Sequence, residues 1–273
     1  MTYSNKQTLL TLLQKHNLYI KKKLGQNFLT DLSALPKIIT AADIQPNDFI
    51  LEIGAGLGIL TAELVKKAAQ VLSIELDPRL IPILKENIPA NNLKIINADA
   101  LKVPLPNVPY KLVANIPYYI TSPILNHFLK PKLPAEKRPT LIVLLIQKEV
   151  AEKICAKAGD HTVLSLQVQV FGKPQIIDIV PATSFYPTPD VNSAILKITP
   201  YEQPAIANID LFFRIIHATF AQRRKTLSNS LRNGLGKVKE EIAAILKKAN
   251  IKPTTRPQEL TLSDWKTLID AWT

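Results

Sequence analysis

From residue 49 onward the chain alternates two hydrophobic rhythms. Short apolar runs at 49–53, 71–74, 93–96, 111–114 and 141–146 have the length and composition of buried strands. Helical patterns lie between or after them, at about 58–67, from Pro78, after Thr121 and from about Lys148. Pro78 is expected in the first turn of its helix, where a missing N–H costs nothing. Strands alternating with helices predict a mostly parallel sheet covered on both faces. Residues 175–180 and 193–198 read as two late strands around a Pro-rich loop, 185–189, and fit an antiparallel hairpin at the sheet edge. At the N-terminus, leucines at helical spacing mark 5–20, and Asp31 is a potential N-cap for a helix over about 32–42.

Beyond residue 200 the pattern is helical only, at 209–220, 224–232, 236–248 and 262–272. The expected organisation is an α/β domain over 1–200 and a small all-helical domain over 201–273. The latter holds 12 Lys+Arg against 7 Asp+Glu.

Charge narrows the partner. A formal net charge of +12 and a pI near 9.6 favour a polyanion, either nucleic acid or an anionic membrane surface. No apolar run approaches the roughly 18–20 residues of a membrane-spanning helix. The first twenty residues have no compact signal-peptide core. Cys155 is the only cysteine, which excludes a disulfide framework and a Cys-based zinc site. The expectation is a cytoplasmic protein that uses no metal and is monomeric by default.

The chemistry sits at successive strand ends. Glu52-Ile53-Gly54-Ala55-Gly56-Leu57-Gly58 follows the first buried strand and opens a helix. Glycines there let a backbone approach a ligand, and a helix N-terminus suits an anionic group. The dinucleotide fingerprint needs a further glycine where Ile59 stands. The departure weighs against NAD and towards S-adenosylmethionine. Glu75 ends the next strand and can accept from both hydroxyls of a ribose. Asp99 follows the third strand and can accept from a cofactor adenine amino group. Asn115-Ile116-Pro117-Tyr118 follows the fourth. Its amide and adjacent carbonyl can hold an exocyclic amino group, its proline fixes the backbone, and Tyr118 offers a face to an extruded base.

These motifs, together with Gln26-Asn27-Phe28-Leu29 and Phe185-Tyr186-Pro187-Thr188-Pro189, occur in the order of the rRNA adenine N6-dimethyltransferases, which the chain resembles. Residues 114–125, Gln147-Lys148-Glu149-Val150 and residues 220–227 resemble the small-subunit, 16S-type branch of that family. The match runs from about Lys21 to Leu231. The resemblance implies a Rossmann-like S-adenosylmethionine-dependent methyltransferase sheet with a helical C-terminal domain that recognises rRNA. It implies that two adjacent adenines in a hairpin loop near the 3′ end of 16S rRNA are dimethylated, within the small ribosomal subunit or its precursor.

The implied cofactor residues are Asn27, Leu29, Gly54 at the methionine part, Glu75, Asp99 and Asn115. Asn115 also lies between methyl and target amine, and Tyr118 and Phe185 stack on the target adenine. Without the resemblance Phe185 reads as an ordinary core aromatic. Lys21, Lys22, Lys23 and Arg223, Arg224, Lys225 are the basic patches suited to RNA phosphates, or else solvated charge runs. Two rivals share the fold. One is the branch that methylates large-subunit rRNA. The other is a non-catalytic ribosome-assembly or transcription factor, which would tolerate loss of Asn115 or Glu75.

Overall fold

The computed structural model of the protein describes residues 5–272, the side chain of Lys22 excepted. The chain forms two compact units, Met1–Ala151 with Gln175–Pro200, and Glu152–Pro174 with Tyr201–Thr273.

The strands are β1 (Phe28–Leu29), β2 (Phe49–Ile53), β3 (Gln70–Glu75), β4 (Leu93–Asn97), β5 (Lys111–Asn115), β6 (Leu141–Gln147), β7 (Gly172–Val180), β8 (Phe185–Tyr186) and β9 (Ser193–Pro200). Among the described residues one seven-stranded sheet has the order β4-β3-β2-β5-β6-β9-β7. Its first five strands are parallel, and β9 runs antiparallel to β6. From β2 the chain winds outward through β3 and β4, then returns to lay β5 against the other side of β2. A crevice opens beyond the carboxyl ends of strands at such a reversal.

The helices of the first unit are α1 (Lys6–Lys15), α2 (Ala34–Ala42), α3 (Thr61–Leu64), α4 (Ile81–Asn87) and α5 (Thr121–Phe128), followed by the start of α6 (Lys148–Ile154). In α2, Leu35, Ile38, Ile39 and Ala42 recur at helical spacing and pack with Val113, Val143, Leu145 and Ile195. Each such buried aliphatic contributes roughly 1.5–3 kcal/mol. Leu112 and Ala114 alternate with Val113 on β5 and are buried too, so both sheet faces are covered. α5 brings Phe128 edge-on to Tyr110, with ring centroids 6.4 Å apart.

The second unit holds α7 (Val163–Gln169), α8 (Ile209–Phe220), α9 (Leu227–Leu235), α10 (Lys239–Lys248) and α11 (Leu262–Trp272). Thr162 and Ser165 form a capping box that starts α7. The sequence placed one boundary at residue 200, whereas 152–174 also belong to the helical unit. The reason is packing. Phe171 stacks on Phe213 of α8 at 6.2 Å, and Phe212 meets Trp265 of α11 at 6.3 Å, so this excursion feeds the helical core.

Local chemistry shifts several expected ends. Gly58 has φ +88°, outside the helical region, so α3 starts later than 58. Pro82, not Pro78, occupies the first turn of its helix. The Asp31 side chain accepts from the Ser33 N–H at 3.0 Å in a turn that precedes α2. Thr226 caps α9 and moves its start to 227, which leaves Arg223, Arg224 and Lys225 in a turn. The loop after β7 is not all irregular: β8 pairs antiparallel with β1, matching Phe28 with Tyr186 and Leu29 with Phe185.

Candidate active site

At the carboxyl ends of β2, β3 and β5 lies a cavity of about 310 Å³. Asn27, Leu29, Gly54, Glu75, Asp99, Asn115, Tyr118 and Phe185 all line it. The β1–β8 pairing explains how two motifs distant in sequence reach one wall.

The glycines of the turn after β2 do different work. Gly54 has φ +74°, and a Cβ there would lie 3.4 Å from the Asn115 carbonyl oxygen. Its bare backbone therefore keeps that side of the cavity open. A Cβ at Gly58 would instead lie 2.5 Å from Ile88 Cδ1 and 2.6 Å from Leu84 Cδ1, so this glycine serves helix packing.

Glu75 is buried, and both its oxygens are engaged. Oε2 accepts from the Gly56 N–H at 2.8 Å and Oε1 from the Asp77 N–H at 2.8 Å. Each oxygen keeps a further lone pair for an incoming hydroxyl. Burial pushes the Glu75 carboxyl up, against the pull of those backbone bonds. Asp99 accepts from the Leu101 N–H at 3.0 Å, and Lys102 Nζ stands 3.8 Å from it. The Asn115 side-chain amide makes no hydrogen bond among the described residues and lines the cavity with its groups available. Tyr118 opens a short 3₁₀ turn after Pro117, and its hydroxyl is 2.7 Å from Ser193 Oγ on β9. Burial raises its phenol, which stays neutral. Phe185 is buried on β8.

These groups fit an adenosyl-amino-acid ligand. Two carboxylates on adjacent strand ends suit ribose hydroxyls and an adenine amine, and a glycine turn meets the amino-acid end. S-adenosylmethionine has that chemistry.

Four supporting residues, Gln26, Asp77, Arg79 and Ser193, had no role assigned from the sequence. Gln26 spans the Lys21 N–H, from which its Oε1 accepts at 2.9 Å, and the Asp77 carboxylate, to which its Nε2 donates at 3.1 Å. Asp77 is buried and bonded by Arg79 through Nη2 at 2.6 Å and Nε at 2.9 Å. The Arg79 hydrogen bonds hold its carboxyl down at about 2. Arg79 Nη2 also donates to the Tyr19 carbonyl at 3.1 Å. The segment before Asn27 is thus tied to the end of β3. Glu52 is not among the cavity-lining residues and accepts from Thr61 Oγ1 at 2.7 Å and from Ser73. Complete burial raises its carboxyl to about 7. Gln26 stood inside a quoted motif; Ser193 and Asp77 had no sequence signal that pairs them with Tyr118 or Gln26.

The basic candidates separate. Lys21 Nζ is 3.7 Å from Asp77, so part of its charge is used inside the protein. Lys23 is exposed. The Lys22 side chain lies outside the described residues. Arg223, Arg224 and Lys225 are exposed on the turn of the helical unit. Among the described residues, no helix is long and apolar enough to cross a membrane.

Residues 17–268 match the family described as Ribosomal RNA adenine dimethylase. The chain is 42% identical to Ribosomal RNA small subunit methyltransferase A of Dehalococcoides mccartyi, over 96% of this chain and 91% of that protein. It is 41% identical to the protein of the same name from Streptococcus mutans, over 99% and 98%. Among solved structures, a dimethyladenosine transferase from Plasmodium falciparum superposes with a TM-score of 0.78 at 29% identity, covering 88% of this chain and 95% of that one. The 23S rRNA methyltransferase ErmE superposes with a TM-score of 0.73 at 27% identity, covering 89% and 98%.

Proposed function

The chain belongs to the ribosomal RNA adenine dimethylase family, and from that premise we propose how its cavity works. The protein transfers methyl groups from S-adenosylmethionine to the N6 amino groups of two adjacent adenines in a hairpin loop near the 3′ end of 16S rRNA. The products are N6,N6-dimethyladenosines, made during small-subunit biogenesis. The small-subunit choice is supported by the relatives named for that subunit, which are more similar to this chain than the 23S enzyme.

The observation that carries the reading is the open Asn115 amide on a cavity shared with Glu75, Asp99 and the Tyr118 ring. Glu75 accepts from ribose hydroxyls and Asp99 from the cofactor adenine amine. Asn27, Leu29 and the Gly54 backbone complete the donor site. S-adenosylmethionine, when bound, supplies a sulfonium methyl already activated for displacement. An adenine amine is a weak nucleophile because its lone pair is delocalised into the ring. Asn115 and the Ile116 carbonyl hold its hydrogens and favour a pyramidal nitrogen. Tyr118 and Phe185 sandwich the extruded ring. Rate enhancement comes mainly from this positioning. The amine proton becomes acidic on alkylation, so no strong base among these residues is needed.

Lys23, Arg223, Arg224 and Lys225, with Lys21, contact RNA phosphates, and the helical unit recognises rRNA shape. The protein works in the cytoplasm as a monomer. Mass spectrometry of adenosines from small-subunit particles, and separately from naked large-subunit rRNA, tests the reading with a labelled donor. Dimethyladenosine is expected in the former, and Asn115→Ala is expected to bind donor without turnover. Near-wild-type turnover by that variant would remove Asn115 from its role.

A further inference from the structure

Tyr119 follows the base-stacking Tyr118 but is placed differently. Its side chain lines the cavity, yet the residue is 57% exposed. One edge of its ring rests on the backbone of Gly25. A Cβ built there would meet Tyr119 Cδ1 at 3.1 Å, Tyr119 Cε1 at 3.2 Å and Pro117 Cβ at 3.2 Å. Gly25 also has φ +59°, so the notch that receives the ring suits glycine on two counts. The ring is therefore held against one chain segment while much of it faces solvent at the cavity mouth. An exposed aromatic at a surface is ordinary; one seated in a glycine notch beside a ligand cavity has already lost the freedom that binding would cost it. Lys21 and Lys23, both exposed, precede the notch on the same segment.

We propose that Tyr119 is a stacking platform for the nucleobase flanking the target adenine, with Lys23, on the segment that carries the notch, for the connecting phosphate. The inference rests on the reading that the cavity takes an extruded adenine, since the next base along the strand then lies near the mouth. A nucleobase fits because every base presents a π-face to such a ring, and the lysines match the charge of its backbone.

The test uses the full chain, S-adenosylmethionine, and an RNA hairpin with two adjacent adenines and 2-aminopurine in the flanking position. Tyr119→Ala should weaken hairpin binding roughly 5- to 150-fold, the loss expected for one stacked base. Tyr119→Phe should bind as wild type, and Tyr119→Leu, which has bulk but no π-face, should resemble the alanine variant. The fluorescence quenching of 2-aminopurine on binding should disappear in Tyr119→Ala and persist in Tyr119→Phe. Melting curves of all three variants should match wild type, which reports an intact fold, and donor affinity by calorimetry should be unchanged in Tyr119→Phe. Wild-type RNA binding by Tyr119→Ala, full restoration by Tyr119→Leu, or a loss confined to donor affinity would each overturn the platform. A wild-type chain that binds donor but methylates no RNA would defeat the enzymatic reading itself, and the platform with it.

Discussion

The side-chain amide of Gln26 donates to the buried carboxylate of Asp77 at 3.1 Å while its oxygen accepts from the Lys21 N–H. One neutral side chain thus fastens the segment carrying Asn27 and Leu29 to the strand carrying Glu75.

Gln26→Ala removes a bond to a charged group and frees that segment. The expected result is methyl-donor affinity about 10-fold weaker, or roughly 1.4 kcal/mol, with most of the stability retained. Calorimetric titration of the donor checks it; unchanged affinity would mean the segment is held by other contacts.

Tyr118 and Ser193 share a 2.7 Å hydrogen bond that fixes the ring on the cavity. Tyr118→Phe keeps the face and loses the anchor, so kcat/KM should fall a few-fold, about 1 kcal/mol. Ser193→Ala should cost about the same, and the double variant no more than either alone. Tyr118→Ala should cost far more. Strict additivity of the two anchor variants would show that the bond does not couple them.

Glu52 gives a pH signature. Its ordinary value is 4.5, and burial lifts it to about 7 in the folded protein. Between those values the folded state holds a proton that the unfolded state lacks. Stability from this group therefore falls as pH rises through the window and levels off above it. Glu52→Gln keeps a partner for Thr61 and Ser73 without the charge. Melting curves across the window should be flatter for this variant, with a higher Tm than wild type at alkaline pH. Parallel wild-type and variant curves would refute the shift.

The glycines after β2 should separate by phenotype. Gly58→Ala forces a methyl into Leu84 and Ile88 at positive φ and should lower stability by roughly 1–3 kcal/mol. Gly54→Ala alters the cavity wall, and its first effect should be on donor affinity. Denaturant melts and donor titrations distinguish the two, and identical profiles would contradict the division of labour.

RNA binding should weaken steeply with salt, because each phosphate contact releases counterions. Replacing Arg223, Arg224 and Lys225 with alanine should make the slope of log affinity against log salt shallower. A slope equal to wild type would place the turn off the RNA.

Much of this was legible in the residues. The strands at 49–53 and 111–114 declare themselves by short apolar runs followed at once by glycine or asparagine, and the cavity residues sit at those ends. What the sequence hid was long-range. β1 and β8 are two residues each, too short for any period, and exist only because their partners meet. The helical unit gains 152–174 through Phe171 and Phe213, a contact that periodicity does not encode. Asp77, two residues beyond Glu75, carries no signal of its own in the sequence, because its partners Arg79 and Gln26 meet its buried carboxylate only in the fold.

The junction of Phe28 with Tyr186 and of Leu29 with Phe185 sets an order of events during synthesis. The chain emerges from its N-terminus, so the first half of that junction waits unpaired while the whole parallel sheet is translated. A nascent polypeptide that stops short of Phe185 has the glycine turn and the acidic strand ends but lacks this wall. The wall of the cavity is thereby complete only when nearly all of the first unit has been made.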